Sequence, residues 1–194
     1  DIKQVDFDFF QHAAPPHIRS LRTEVDSVLR LLEDTVADID RRNKILLANQ
    51  KRKWGELAGS SAAEPYQILI VDEVADLVQT GEEGKACAAA IQRIAQKGRS
   101  AGICLILCSQ YPKADIIPTA TTANLSNRVA FKLQNGRQSN VILDRDGAEE
   151  LTGKGDCLAN LEGHPPGARF LAPHFDHGAE EAVRQHCDRL RLLR

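Results

Sequence analysis

YQILIVDEVADLV, residues 66–78, carries the apolar run Ile68-Leu69-Ile70-Val71 directly into two adjacent carboxylates, Asp72 and Glu73. A short apolar run bounded by a polar loop reads as a buried strand, and a buried strand is a stiff rod whose tip presents side chains at a fixed place. An acid pair at such a tip is the Walker B layout of P-loop ATPases. There the first acid (Asp72) holds a magnesium ion, usually through water, and the second (Glu73) polarises the water that attacks the γ-phosphate. Taken alone, four apolar residues and an acid pair fit equally well a strand that turns polar where it leaves the core.

The flanking sequence separates these readings. The Ala-rich segment 82–102, EEGKACAAAIQRIAQKGRSAG, has Ala86, Ala90, Ile91, Ile94 and Ala95 at helical spacing, which predicts a helix of about five turns closed near Gly102. ICLILCSQ follows, a second apolar run, and it ends in Ser109-Gln110. Strand, helix and strand, both strands apolar throughout, predict a parallel sheet covered on both faces. A Gln at the end of the second strand can accept from an attacking water while donating to a phosphate oxygen. Arg99 lies just before that strand. By spacing alone it is an ordinary cation near a helix C-terminus, and its other reading is an arginine finger for a neighbouring subunit.

Composition sets the bounds. With 194 residues, 42% hydrophobic and 27% charged, one globular domain spanning 1–194 is expected. No stretch reaches the roughly 18–20 apolar residues of a bilayer span, and no signal-peptide pattern opens the sequence. The expected location is cytoplasmic, or the cytoplasmic part of a membrane-anchored protein, with membrane contact only through segments not present in these residues. The formal net charge of -2 gives no global attraction to nucleic acid, so DNA contacts have to come from local basic loops. The five cysteines are odd in number and include no CxxC pair, which favours buried thiols over disulfides or a zinc ribbon. The sequence contains no Met and reads as a piece of a longer chain.

Elsewhere, apolar positions Val25, Val28, Leu29, Leu32, Val36 and Ile39 predict one long helix from about 24 to about 49, with Thr23 as its N-cap. Residues 58–65, AGSSAAEP, read as a loop. NRVAFKL (127–133) reads as a strand, the segment 137–160 as a short helix, a glycine-punctuated turn and a strand near 156–160, GARFLAPHF as a further strand, and the last residues as a closing helix. His174, His177, His186 and Cys187 raise a zinc reading, but their spacing matches no standard site. Lys51-Arg52-Lys53 reads as a solvated helix end rather than as a DNA contact.

The motifs ILIVDEVADLV, IQRIAQKGRSAGICLILCSQYPKADII and NLSNRVAFKLQNGRQSNVILDRDGAEELTGKGDCL, in this order and spacing, resemble the motor domain of the FtsK/SpoIIIE family of hexameric double-stranded DNA translocases. DIKQVDF is similar to the family's Asp-Pro-Lys strand, with Ile2 for Pro, and DIDRRNKILL to its Glu-Arg-Arg helix. The resemblance runs from Asp1 almost to Arg194. It implies an α/β RecA-like P-loop NTPase core, a mainly parallel sheet with flanking helices, incomplete at the N-terminus. It also implies ATP and Mg2+ as cofactors, double-stranded DNA as partner and a homohexamer. Asp72 then falls on the magnesium-side acid, Glu73 on the catalytic base, Ser109-Gln110 on the Thr-Gln sensor and Arg99 on the finger acting in trans. DNA-gripping loops fall at Tyr111-Pro112-Lys113 and at Gln134-Asn135-Gly136-Arg137, so that Tyr111, Lys113 and Arg137 are the expected DNA contacts.

The sequence departs from the family at those loops. Tyr111 replaces an Arg, Gly136 a Lys and Asn140 an Arg, which suggests a divergent branch serving plasmid or conjugative transfer rather than chromosome segregation. No G-x-x-x-x-G-K-[ST] occurs in the 194 residues. The family's P-loop lies upstream of the DIK strand, and without it nothing here cradles the β- and γ-phosphates. The isolated residues are therefore expected to hydrolyse no ATP. Two other functions fit the same motifs: a non-hydrolysing coupling module of this fold, and a related secretion ATPase that moves protein.

Overall fold

The computed structural model describes residues 18–173 and, within a helical stretch beyond them, residues 178, 181–183, 185–186 and 189. The expected DIK strand at the N-terminus and most of the closing segment, including His174, His177 and Cys187, lie outside the described residues. The described chain divides into two compact units, one comprising Glu24–Ser126 and the other residues 127–173 together with residues 18–23.

In the first unit, helix α1 (Val25–Ala48) buries Val28, Leu32, Thr35, Ile39, Arg42 and Leu46. The alternating steps of four and three make a narrow seam of the kind that packs one helix along another. Its partner is α3 (Gly81–Lys97), which buries Gly84, Cys87, Ala90, Ile91 and Ile94. Each large aliphatic on this seam contributes about 1.5–3 kcal/mol by leaving water. The helix begins one residue later than expected. Glu24 is the N-cap, in an extended conformation and without a side-chain cap, so the expected Thr23 cap is corrected. Ser27 instead donates its hydroxyl back to the Glu24 carbonyl at 2.7 Å.

Strand β1 (Gln67–Val71) leads into the short helix α2 (Val74–Val78), then α3, then β2 (Ile103–Leu107). β1 and β2 pair in parallel, Gln67 opposite Ile103 through Val71 opposite Leu107. This is the strand, helix, strand unit read from the sequence. The chain then passes through the single-turn helix α4 (Thr119–Thr122). Gly84 is required where α3 starts, because a Cβ there would lie 2.6 Å from the Val78 carbonyl oxygen and 2.8 Å from that of Leu77.

The expectation of a sheet covered on both faces does not hold among the described residues. The register puts Ile68, Ile70, Cys104 and Ile106 on one face, and all four are exposed, Ile68 at 67%. On the other face Val71 and Ile103 are buried, and Gln67, Leu69, Leu105 and Leu107 are half-buried. Cys104 and Cys108 are accordingly exposed, whereas Cys87 and Cys157 are the buried thiols.

The second unit is an antiparallel sheet in the order β3 (Arg128–Phe131), β4 (Asp156–Asn160), β5 (Ala168–Leu171). Helix α5 (Gly136–Leu143) packs on β3, and Ala130, Leu143, Ala148 and Leu151 form the core. The antiparallel pairing adds a mixed character to the parallel architecture expected from the sequence. Asp156 ties this sheet together. Its carboxylate accepts from Arg169 Nε at 2.8 Å and Nη2 at 2.6 Å, and from the Thr152 N–H and hydroxyl at 2.9 Å each. The Arg169 bonds first, and then the Thr152 N–H, hold its carboxyl well below the usual carboxylate range.

Candidate active site

Parallel strands leave their C-terminal ends open as a crevice, the usual ligand-binding edge of α/β sheets. The ends of β1 and β2 are stitched together by the chain itself: Cys108 N–H donates to the Val71 carbonyl and Val74 N–H to the Cys108 carbonyl, both at 2.9 Å. Asp72 and Glu73 leave β1 at this edge, and Ser109 and Gln110 leave β2 beside them. The adjacency of the two strands, implied by their shared apolar character, thus places all four residues together.

Glu73 is the most constrained of the four. It sits in the left-handed region, at φ 42° and ψ 71°, and it is only 4% exposed. A non-glycine residue held there stores about 1–3 kcal/mol, tolerated where the surroundings over-determine it. The over-determination is visible. Ser109 Oγ–H donates to Glu73 Oε1 at 3.1 Å and the Gln110 backbone N–H donates to Glu73 Oε2 at 2.8 Å. The Ser109 oxygen in turn accepts from the Tyr111 N–H at 3.3 Å. Asp72 is half-buried at the strand tip. Partial desolvation first, then the Asp72 and Glu73 carboxylates, push the Cys108 thiol above its ordinary value.

The left-handed turn at Glu73 sends the two neighbouring carboxylates to different places. In a regular strand Asp72 and Glu73 would point to opposite faces. The reversal of φ at Glu73 turns its carboxylate onto the β2 terminus, where Ser109 Oγ and the Gln110 N–H hold it, while Asp72 stays at the strand tip.

Arg99 lies in the turn between α3 and β2 and is exposed. Tyr111 and Lys113 are exposed in the loop after β2, and Pro112 between them is buried. In the other unit, Arg137 is exposed in the first turn of α5. Asn135 caps that helix, its Oδ1 accepting from the Gln138 N–H at 3.1 Å, while the Gln138 side-chain oxygen accepts from the Gln134 N–H at 3.0 Å. This reciprocal capping fixes the 134–137 turn.

The FtsK/SpoIIIE family model matches residues 56–114, the segment that contains β1, α3, β2 and every site residue of the first unit. DNA translocase FtsK of Helicobacter pylori (strain ATCC 700392 / 26695) is 35% identical over 196 residues, covering 97% of this chain and 22% of the relative.

The chain belongs to the FtsK/SpoIIIE family.

Another FtsK/SpoIIIE relative, DNA translocase FtsK of Campylobacter jejuni subsp. jejuni (serotype O:23/36, strain 81-176), is 34% identical over 181 residues, covering 89% of this chain and 18% of the relative. The chain thus spans about a fifth of the length of these curated relatives. Among solved structures, the pCW3 conjugation coupling protein TcpA, in its monomer form with ATPγS, superposes with a TM-score of 0.84 at 23% identity, covering 98% of this chain and 55% of that one. The cytoplasmic domain of the Thermomonospora curvata type VII secretion ATPase EccC gives a TM-score of 0.70 at 20% identity, over 93% of this chain and 23% of that one. These likenesses show the α/β, RecA-like fold of this family member. No helix among the described residues is long and apolar enough to cross a membrane.

One feature of the site escaped the sequence reading. Arg42 of α1, in the segment similar to the family's Glu-Arg-Arg helix, is wholly buried and bonded to the turn that carries Arg99. Its signal was faint: an arginine at a position continuing the seam of α1, and a single Trp, Trp54, a short way downstream.

Proposed function

We propose that the protein is an ATP-driven double-stranded DNA translocase, and that residues 1–194 are a single RecA-like motor domain contributing its Walker B, sensor and arginine-finger elements. The observation that carries the reading is the buried Glu73 carboxylate, held at the C-terminal edge of two parallel strands by Ser109 Oγ and the Gln110 N–H. A carboxylate fixed in orientation at this edge can accept from an attacking water, which a catalytic base needs in order to orient it. Asp72, an oxygen donor at the strand tip, suits a hard cation such as Mg2+ held through water. When bound, the magnesium ion would neutralise charge on the transferring phosphate. Ser109 and Gln110 couple the base to the second strand, and Arg99 supplies a guanidinium to the site of a neighbouring subunit in a homohexamer.

Lys113 and Arg137, with Tyr111, contact the DNA backbone. Contacts to phosphate position a protein without reading sequence, which suits a motor that moves along any duplex. Conjugative transfer is favoured over chromosome segregation by the likeness to TcpA and by the altered loop residues Tyr111, Gly136 and Asn140. The protein works in the cytoplasm, or as the cytoplasmic part of a membrane-anchored chain. The 194 residues alone hydrolyse no ATP, because they hold no G-x-x-x-x-G-K-[ST] loop to cradle the phosphates. Hydrolysis by this piece, abolished by Glu73→Gln, would overturn that statement.

The fold likeness to EccC keeps a protein-moving ATPase as the second reading. The test is ATP-dependent displacement of a triplex-forming strand from linear duplex DNA by the full-length protein. The proposal expects displacement together with hydrolysis stimulated by duplex DNA. Hydrolysis indifferent to duplex DNA would favour the secretion reading, and no hydrolysis at all would favour a coupling module.

A further inference from the structure

An arginine with no exposed surface is costly to bury unless its charge is paired and its nitrogens are hydrogen-bonded. In Arg42 each nitrogen has a partner: Nε donates to Asp38 Oδ2 at 2.8 Å, Nη1 to the Ala101 carbonyl at 3.2 Å and Nη2 to the Pro65 carbonyl at 3.1 Å. The Glu64 carboxylate lies 3.6 Å away, and the guanidinium stacks 4.4 Å from the centre of the Trp54 ring. Asp38 is itself held, accepting from Gln67 Nε2 at 2.9 Å and from Arg41 Nε at 2.7 Å. Burial raises its pKa, but the bonds from Arg41 and Arg42 outweigh that and keep the carboxyl below its ordinary value.

The bonds from Arg42 and its neighbours converge on one turn. The carbonyls of Ser100, Ala101 and Gly102 accept in succession from the Trp54 N–H at 2.9 Å, from Arg42 Nη1 and from the Gln67 N–H at 2.9 Å. The carbonyl of Arg99 accepts from the Gly102 N–H at 3.3 Å. Gly102, at φ 75°, packs so closely on Trp54 that a Cβ would lie 2.4 Å from its Cδ1. Trp54 Nε1 donates to the Glu64 carbonyl at 2.8 Å, which locks the ring in place. Three consecutive carbonyls are thus held by three donors from three separate segments, and the side chain presented by this clamped turn is the exposed Arg99.

We infer that Arg42, seated on Trp54, is a positioning residue for Arg99: it fixes the turn from which the Arg99 guanidinium reaches outward. The inference rests on the reading of Arg99 as a finger acting in trans. A finger on a loose turn would have to be ordered at every cycle, whereas a fixed base removes that entropy before the chemistry. Lysine is a poor replacement for Arg42, because a single ammonium cannot reach Asp38, Ala101 and Pro65 in the planar fork that guanidinium offers.

The test compares steady-state ATP hydrolysis by the full-length protein with duplex DNA present, for wild type, Arg42→Lys, Arg99→Ala and the double variant. Arg42→Lys is expected to lower kcat about 10–100-fold, as small misplacements do, with KM for ATP unchanged within about twofold. The double variant is expected to be no slower than Arg99→Ala alone, because the two residues act through one group. Unchanged kcat in Arg42→Lys, or a double variant slowed by the product of the two single effects, would overturn the inference. An inert Arg99→Ala would refute the finger assignment itself, and with it any action of Arg42 through Arg99. Should Arg42→Lys fail to fold, Trp54→Phe carries the same comparison. It keeps the backbone donor to Ser100 and removes the indole N–H bond to Glu64.

Discussion

Replacing Gly102 by alanine should destabilise the first unit by about 2–5 kcal/mol, and the structure separates the two causes. At φ 75° an L-residue incurs about 1–2 kcal/mol of left-handed strain. The added methyl would also meet Trp54 at 2.4 Å from Cδ1, 2.5 Å from Cγ and 2.9 Å from Cβ. The ring cannot retreat, because it is buried, bonded through Nε1 to Glu64 and covered by Arg42. Overpacking of this kind costs about 1–3 kcal/mol more. Gly59→Ala is the control: its φ is 80°, yet nothing lies within 4 Å of the place its Cβ would take, so it should lose only the backbone strain of about 1–2 kcal/mol. Urea unfolding followed by the emission of Trp54, the only tryptophan, reads both variants with a probe inside the contact. A Gly102→Ala variant no less stable than Gly59→Ala would refute the clamped geometry of this turn.

Further outcomes follow from the same contacts. Glu73→Ala keeps the left-handed backbone but leaves the Ser109 hydroxyl and the Gln110 N–H without their acceptor, so a loss of about 1–3 kcal/mol is expected in thermal or urea unfolding. Glu73→Gln, which retains a carbonyl oxygen, should lose less. Asp156 has a folded-state pKa depressed below its unfolded value. Its contribution is therefore fully present above about pH 4 and is lost as pH falls from there through the folded value. Asp156→Asn should weaken the protein at pH 7 and flatten the acid limb of its pH–stability curve, and an unchanged acid limb would remove Asp156 as its cause. Lys113→Ala and Arg137→Ala should each weaken duplex binding alike across sequences and reduce the slope of log affinity against log salt by about 1. Unchanged slopes would take these residues off the DNA.

The parts of this fold that were legible in the sequence are those written in local periodicity. The seam of α1, the Ala-rich α3 and the two apolar strands all announce themselves over short windows, and the acid pair marks the end of the first strand. What covers the strands is not written there. Ile68, Ile70, Cys104 and Ile106 are as apolar as their buried neighbours, so the run alone cannot say that one face is open. The left-handed turn at Glu73 was equally hidden, because no glycine or asparagine marks it; the bonds from Ser109 and Gln110, more than thirty residues away, hold it in place. Arg42 resembles any charged helix residue until Trp54, Pro65 and Ala101 are brought to it, and those partners are set by tertiary structure. Residues whose roles depend on distant backbone carbonyls are the ones that sequence patterns pass over.

The proposed role of Glu73 as the catalytic base of a DNA-stimulated ATPase can be read from a single variant. ATP hydrolysis by the full-length protein, with and without duplex DNA, is compared between wild type and Glu73→Gln. Hydrolysis is expected to rise with duplex DNA in the wild type and to be lost in Glu73→Gln, with nucleotide binding retained. Undiminished hydrolysis in Glu73→Gln would contradict that role.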